Sequence, residues 1–293
     1  MDMKNFYAEV FKPYFYLAPS LVVLVGFFLG GFTLALAQSL GYFPVIGMKE
    51  FTLFYYRQVL GSPDFWASLR GTFYIAFTST LLSTIAGVYL ANYLVRCAPK
   101  NRLISLLYKL PITVPHLVAA LMMVFLFSQG GVIARLMLKA GLIENISDFP
   151  ALFYTRNAVG IILIYWWKET PFVAVMVYAV MKHIVGKLGD VAATLGANPR
   201  QVFYHVVLPL SMPGIISASA ITFAYSFGAF EIPYLLGASY PKTLPVRAYF
   251  SYISPQLSDR PETMVINVLV SLVCACLVAV YYVSMRRYLR RWS

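Results

Sequence analysis

Long apolar stretches alternate with short polar segments along the whole chain. A helix needs roughly 20 predominantly apolar residues to cross the hydrocarbon core of a bilayer, and six stretches reach about that length. The pattern therefore predicts an all-α membrane protein with six transmembrane helices, in which residues 1–293 form a single transmembrane domain. The predicted spans are Phe15–Ala37, Gly71–Val95, Leu110–Ser128, Val159–Val180, Gly214–Leu236 and Thr263–Met285.

Composition agrees with a location in lipid. The 293 residues are 60% hydrophobic and 12% charged, and the mean hydropathy is +0.73. A net charge of +12 would also suit nucleic acid, but the Lys and Arg residues stand in short clusters between the apolar stretches. That distribution is typical of a membrane surface, so we expect lipid and no nucleic acid among the partners.

Basic residues are divided unequally between the two sides of the predicted membrane. If both termini are cytoplasmic, the inner segments carry 13 basic and 3 acidic residues, whereas the outer loops carry nine basic and six acidic residues. Lys and Arg accumulate in cytoplasmic loops of membrane proteins. The sequence therefore predicts that both termini lie in the cytoplasm.

A patterned polar segment within residues 181–213 connects the fourth and fifth predicted spans. Asp190 can cap a short helix, and Gly196 permits the positive φ angle that ends one. Asn198 followed by Pro199 is typical of a helix start. We expect a helix-turn-helix at the cytoplasmic surface.

The second short helix of this segment is predicted to be amphipathic. Its apolar stripe consists of Val202, Phe203, Val206 and Val207. Pro209 and Pro213 follow this stripe. Because proline lacks a main-chain N–H, they are expected to break the helix before the fifth span.

The same segment resembles the EAA loop of ABC importer permeases, and residues 181–213 are called the EAA-like loop below. The family pattern is Glu-Ala-Ala, three residues, Gly, nine residues and Ile-x-Leu-Pro. Here Asp190-Val191-Ala192, Gly196 and Val206-Val207-Leu208-Pro209 stand at the same spacing. The departures are Asp for Glu, Val for the first Ala and Val for Ile, each conservative in charge or shape. The resemblance assigns coupling to an ATPase to Asp190, Ala192, Gly196, Ala197, Asn198, Pro199, Val206, Leu208 and Pro209.

Three other interpretations compete with this one. An interfacial hairpin lying on lipid would favour many basic residues on its polar face, whereas the second short helix carries only Arg200. A secondary transporter or channel acting without an ATPase, or a membrane scaffold or receptor, does not require the spacing of the EAA-like loop.

Two further segments extend the resemblance over the chain. Residues 110–120 and 227–237 are similar to polyamine, thiamine and iron-type importer permeases more than to maltose-type ones. The resemblance implies a multi-pass protein of the bacterial cytoplasmic (inner) membrane. It also implies two ATPase subunits that bind ATP and Mg, a second permease subunit (the same or different) and an extracytoplasmic solute-binding protein. Polyamine is the first expected substrate, with thiamine, iron chelates and phosphonates after it.

No catalytic, cofactor or metal site is expected in the chain itself. It contains no G-x-x-x-x-G-K-[ST] phosphate loop, so ATP hydrolysis is assigned to the partner. His116, His183 and His205 stand on separate segments without Cys or carboxylate at ligand spacing. We therefore expect them to be packing or loop residues rather than metal ligands.

Three charged residues fall inside predicted spans, Lys168 and Glu169 in the fourth and Glu231 in the fifth. Such side chains are costly in lipid and normally face a bundle interior, a partner charge or a water-filled path. They are candidates for the translocation path. The alternative is an interhelical salt bridge, in which one of the first two reaches Glu231 or a partner subunit.

Overall fold

A computed structural model describes residues 3–97 and 106–289, and its regular structure in those ranges is helical. Within them, extended pairing is limited to an isolated bridge between Phe43 and Met48. Six helices are long and apolar enough to cross a membrane, as predicted. Those spans are Lys12–Ser39, Pro63–Arg96, His116–Lys139, Val159–Ile184, Pro199–Gly228 and Leu257–Ser284. Four basic residues used for the predicted orientation, Lys100, Arg102, Arg290 and Arg291, lie outside the described residues, as does Asp2.

The α-helices are numbered in chain order. They are α1 (Met3–Ser39), α2 (Phe54–Gly61), α3 (Pro63–Cys97), α4 (Leu110–Thr113), α5 (His116–Phe127), α6 (Val132–Lys139), α7 (Val159–Ile184), α8 (Asp190–Thr194), α9 (Pro199–Val202), α10 (Leu208–Gly228), α11 (Glu231–Leu236), α12 (Leu244–Tyr252) and α13 (Arg260–Leu289).

The helices group into two compact units. One unit comprises Met1–Ser62 and Ala248–Leu269, and the other comprises Pro63–Arg247 and Val270–Ser293. All candidate site residues from the sequence belong to the second unit. Its centre is formed by α3, α7 and α10, which pack against one another. Gly87 permits the close approach of α3 to α7, because a Cβ atom there would lie 2.7 Å from the Cβ of Val173.

The predicted third span, Leu110–Ser128, is broken before Pro115, so the span in the structure starts only at His116. Helix α4 ends at Thr113, and Val114 is extended with φ −74° and ψ 125°. Helix α5 begins after Pro115. Proline disfavours the α conformation in the residue before it, so Pro115 forces this break.

The fifth span also differs from its prediction, Gly214–Leu236. Helix α10 ends at Gly228 and Ala229 is extended, so Glu231 is the first residue of the separate helix α11. Pro209 and Pro213 do not break the helix, because both lie inside α10. A π-turn over Phe203–Val207 precedes it, and Leu208 donates to the carbonyl of Phe203 five residues earlier. In this wider turn the main-chain hydrogen bonds join residues five positions apart. The chain therefore continues into α10 although Pro209 has no N–H to donate.

Candidate functional site

The EAA-like loop turns at Gly196 between two helical segments, as the sequence predicts, but the first of them is not a separate short helix. Helix α7 continues through a π-turn over Val185–Gly189 into α8, so Asp190 lies inside a continuous helical segment and not at the cap of a new helix. Helix α8 ends at Thr194, Gly196 has a φ of +89°, and α9 begins at Pro199. Nothing lies within 4 Å of the position that a Cβ atom would take on Gly196. The requirement for glycine therefore comes from the left-handed backbone and not from crowding.

The start of α9 is held by reciprocal hydrogen bonds. The side-chain oxygen of Asn198 accepts from the main-chain N–H groups of Gln201 (2.9 Å) and Arg200 (3.1 Å). In return, the side-chain oxygen of Gln201 accepts from the N–H of Asn198 at 2.8 Å. Such a capping box satisfies main-chain donors that a helix start leaves open. It fixes α9 at the point where the loop reverses direction.

The apolar stripe of the loop is embedded in the helix bundle. Val202, Phe203 and Val207 are buried, whereas Val206 is half-buried. Ala192, Ala197 and Leu208 pack at the edge of the same core. Other members of that core, contributed by α3, α7 and α10, are Val88, Ala91, Val173, Val177, Met181, Ile215 and Ala218. A displacement of the loop must therefore move, or be resisted by, these three helices.

Polar contacts add a second connection between the loop and α3. One guanidinium nitrogen of Arg96 donates to the carbonyl of Pro199 at 3.0 Å, and another donates to the side chain of Asn92 at 3.2 Å. The hydroxyl groups of Tyr89 and Tyr204 lie 3.1 Å apart. Both ends of the segment from Pro199 to Tyr204 are thus bonded to the last turns of α3.

The opposite side of the loop carries exposed apolar side chains. Leu188, Val191 and Leu195 are 46%, 55% and 85% exposed. Leu188 lies in the π-turn before α8, Val191 lies in α8 and Leu195 directly follows it. These three residues, called the outer ridge below, expose apolar side chains on a segment whose Ala192 packs against the buried core.

Lys168 and Glu169 on α7 are both buried, at 7% and 6% exposure. The ammonium group of Lys168 donates to the carbonyl of Pro111 at 3.1 Å and to the carbonyl of Val114. Those carbonyls are left without helical partners by the break before Pro115. Lys168 thus supplies hydrogen-bond donors to main-chain acceptors that this break leaves open.

Glu169 joins the three central helices. Its carboxylate accepts a hydrogen bond from the hydroxyl of Ser83 on α3 at 3.3 Å and another from Ser226 on α10. Hydrogen bonds to a carboxylate are stronger than those between neutral groups. Glu169 therefore lies at the meeting point of the helices that also hold the EAA-like loop.

Glu231 contacts His116 and forms no salt bridge with Lys168 in the described ranges, contrary to one predicted alternative, a bridge between Glu231 and Lys168. Its side chain is 55% exposed, and a carboxylate oxygen lies 3.9 Å from Nδ1 of His116. In the described ranges, Lys168 forms no ion pair with Glu231 and uses the two carbonyls instead. The sequence correctly marked the three charged residues as unusual, but it did not identify their contacts.

Two cavities adjoin these residues. One of about 230 Å³ is lined by Lys168 and Glu169, with Thr222 and apolar side chains beside them. The other, of about 260 Å³, is lined by Glu231, Tyr165 and the segment that follows α10. They are called the Lys168 cavity and the Glu231 cavity below. Together these half-open cavities are lined by all three residues that the sequence predicts for the path.

His116 and Tyr225 line both cavities. Nε2 of His116 lies 2.7 Å from the hydroxyl of Tyr225, and the ring centroids are 5.4 Å apart. The sequence predicted His116 to be a packing or loop residue and did not mark Tyr225. The one sequence feature that sets His116 apart is its position directly after Pro115, within a predicted span. In the described part of the chain, no group of three or more His, Cys, Asp or Glu residues could hold a metal ion.

Comparison with known proteins agrees with this arrangement. Residues 83–292 match the family model described as "Binding-protein-dependent transport system inner membrane component". The inner membrane ABC transporter permease protein YdcU of Escherichia coli K12 is 29% identical over 197 residues, which are 64% of this chain and 62% of YdcU. The match thus spans less than two thirds of YdcU.

Other similarities cover more of the chain. The molybdenum transport system permease protein ModB of Mycobacterium tuberculosis is 27% identical over 229 residues, 74% of this chain and 81% of ModB. A bacterial alginate ABC transporter, crystallised with an alginate pentasaccharide-bound periplasmic protein, has a chain that superimposes with a TM-score of 0.73. That match covers 96% of this chain and 97% of the other at 18% identity, so it supports the fold alone.

Proposed function

Because the chain belongs to the family of binding-protein-dependent transport system inner membrane components, it is a multi-pass permease subunit of an ABC importer, and we propose that it couples solute passage to a separate ATPase through the EAA-like loop. ATP and Mg are bound by two ATPase subunits. A second permease subunit and an extracytoplasmic solute-binding protein complete the complex. The pathway alternates between outward-open and inward-open forms.

The observation that carries this proposal is the outer ridge. Leu188, Val191 and Leu195 present apolar surface, and Leu195 is 85% exposed. The outer ridge lies outside the predicted spans, where apolar side chains exposed to water are unfavourable unless a partner covers them. The occupant proposed here is the ATPase, since the orientation predicted from loop charge places this side of the chain in the cytoplasm.

The contacts behind the outer ridge support mechanical coupling. Phe203 and Val207 are packed with residues of α3, α7 and α10, and Arg96 bonds to Pro199. The same three helices carry Ser83, Glu169 and Ser226, whose hydrogen bonds lie beside the Lys168 cavity. Movement of the ATPase subunits would thus be transmitted through packed helices to the cavity walls. Close packing makes such transmission efficient, because packed interiors are not easily compressed.

The solute is proposed to be small and polar. The cavities of about 230 and 260 Å³ combine a few charged and hydroxyl side chains with apolar ones, and the polar groups are proposed to hold such a solute. Polyamine stays a prediction, which rests on the resemblance and on Glu231. The placement of Glu231 at an exposed helix start instead of inside the fifth span weakens the electrostatic part of that prediction.

Substitution of Leu195 tests the proposal. Leu195→Asp places a charge on the outer ridge without disturbing the buried stripe, so the ATPase should no longer co-purify and ATP-driven uptake should be lost. Leu142→Asp is the matched control, because Leu142 is likewise an exposed leucine, at 70%, but lies outside the EAA-like loop. Normal ATPase binding by Leu195→Asp would refute the docking role. Uptake by the chain without an ATPase would favour the secondary transporter.

A further inference from the structure

An open cleft of about 410 Å³ lies between the last turns of α3 and the second half of the EAA-like loop, and it is called the Arg96 cleft below. It is lined by Tyr89, Asn92, Arg96, Pro199, Arg200, Phe203 and Tyr204. Two of these residues are arginines, and none is Asp or Glu. The lining therefore carries two positive charges without a carboxylate to balance them.

The polar groups of the Arg96 cleft are mainly hydrogen-bond donors. Arg96 uses two of its five N–H groups, on the side chain of Asn92 and on the carbonyl of Pro199. Arg200 is exposed and, among the residues that the structure describes, it forms no ion pair. The two tyrosine hydroxyls of the lining lie 3.1 Å apart, so one donates to the other and the second keeps its proton for another acceptor. These groups suit an anion with several acceptor oxygens.

The Arg96 cleft lies where the hydrocarbon core gives way to the lipid headgroups. Arg96 directly follows the predicted span Gly71–Val95 and is the last residue of the span Pro63–Arg96 in the structure. Tyr89 lies seven positions earlier, about 10 Å further into the membrane, and its hydrogen bond to Tyr204 brings the loop to the same depth. The orientation predicted from loop charge places this end of α3 at the cytoplasmic leaflet, where anionic lipids attract Lys and Arg.

An exposed apolar strip on α3 leads from the cleft into the hydrocarbon core. Its residues are Leu82 and Ile85, which are 39% and 49% exposed. They precede Tyr89 by seven and four positions, and Asn92 and Arg96 follow it by three and seven. This spacing places all five side chains on one face of the helix. A molecule with an anionic head and an apolar tail would therefore contact the cleft and the strip together.

We propose that the Arg96 cleft binds the phosphate of an anionic phospholipid, one acyl chain of which lies along Leu82 and Ile85. Guanidinium groups bind phosphate oxygens through paired N–H donors, which gives the arginines their role. The bound headgroup joins α3 to α9 beside the hydrogen bond from Arg96 to Pro199. The site belongs to this chain and does not depend on the proposed importer function.

Photochemical labelling tests the site. The chain is purified from its native membrane with the subunits that remain bound and is placed in phosphatidylcholine nanodiscs. These contain a small fraction of a phosphatidylglycerol with a diazirine in one acyl chain, or of the otherwise identical phosphatidylcholine. Mass spectrometry of peptides measures the labelling of residues 82–96. The phosphatidylglycerol probe should label this segment more than about tenfold better, because each arginine near an anionic lipid contributes about fivefold in binding.

Neutral variants identify the groups that select the headgroup. Arg200→Gln changes an exposed side chain and should lower the preference for the phosphatidylglycerol probe about fivefold, as should Arg96→Gln. Labelling by the phosphatidylcholine probe should persist in both variants, which shows that α3 is folded and faces lipid. Arg70→Gln, near the other end of α3, is the matched control and should keep the full preference.

Four results would overturn the lipid assignment. Equal labelling by the two probes in the parent chain would show that the cleft does not select an anionic headgroup, and a preference retained in both glutamine variants would exclude the arginines. Absence of labelling by either probe would show that a protein subunit covers the strip. Loss of the preference on addition of inorganic phosphate would indicate a site for a free anion, which has no acyl chain.

Discussion

Arg96 donates a hydrogen bond across 3.0 Å to the main-chain carbonyl of Pro199, which fastens the last turn of α3 to the first residue of α9. Arg96→Met keeps most of the side-chain length but removes the donor. A hydrogen bond of this kind contributes about 0.5–1.5 kcal/mol, so ATP-driven uptake should fall roughly two- to tenfold while the ATPase still binds. Uptake in proteoliposomes measures the effect. Arg70→Met on the same helix, where the side chain donates to the carbonyl of Trp66 four residues earlier, should leave uptake unchanged.

Asn198 should be required for the order of α9. Asn198→Ala removes the oxygen that accepts from Arg200 and Gln201 and should cost about 1 kcal/mol of local stability. Amide hydrogen exchange over residues 199–202 should become faster by about fivefold. Asn198→Ser retains a capping oxygen and should behave almost as the parent. Equal exchange in the Ala and Ser variants would show that the cap does not stabilise α9.

The left-handed turn at Gly196 should be necessary for coupling. A branched side chain at φ +89° is strained by at least about 1–2 kcal/mol, so Gly196→Val should displace α8 from α9 and reduce ATP-driven uptake. Gly186→Val is the matched control, because Gly186 also has open space around it but no positive φ. A similar loss of uptake in both variants would indicate that bulk, and not backbone geometry, is responsible.

Lys168 and Glu231 should act independently of each other. Lys168→Met leaves the carbonyls of Pro111 and Val114 without their donor, and each buried unsatisfied group costs about 1–3 kcal/mol. Thermal stability and yield in detergent should therefore fall. Glu231→Gln, at a side chain that is 55% exposed, should change stability by less than about 0.5 kcal/mol. The double variant should equal the sum of the two, whereas rescue of Lys168→Met by Glu231→Gln would restore the salt-bridge interpretation.

The EAA-like loop should face the cytoplasm. With the native cysteines replaced by Ser, Ala197→Cys should react with an impermeant thiol reagent only in inside-out vesicles, as the charge distribution of the loops predicts. Leu142→Cys, in the segment after α6, should react only from the opposite side. Labelling of Ala197→Cys from outside intact cells would reverse the proposed orientation.

Local features explain why much of the EAA-like loop could be predicted. The positive φ of Gly196 and the cap at Asn198 depend on residues within three positions in the sequence. Glycine alone adopts that backbone freely, and Asn followed by Pro favours a helix start wherever it occurs. The same holds for the spans, whose apolar length is set by the thickness of the bilayer.

The effects of proline inside the spans were harder to foresee. Pro115 breaks the predicted third span, whereas Pro213 lies within a continuous α10. The break is stable because Lys168, 54 residues after Val114, bonds to the carbonyls that it leaves open. Sequence alone shows that proline lacks a donor, but it does not show whether a distant side chain will compensate.

By itself, the sequence determined which segments are apolar enough to enter the membrane, where the EAA-like loop turns and that Lys168 and Glu169 lie within a span. Only the tertiary structure decided that Glu169 meets Ser83 and Ser226, and that His116 meets Tyr225 in the lining of both cavities. Those partners are separated by 57 to 109 positions. Their contacts are set by how the helices pack, because the hydrophobic pattern of a helix specifies a buried face but not the residue that it meets there.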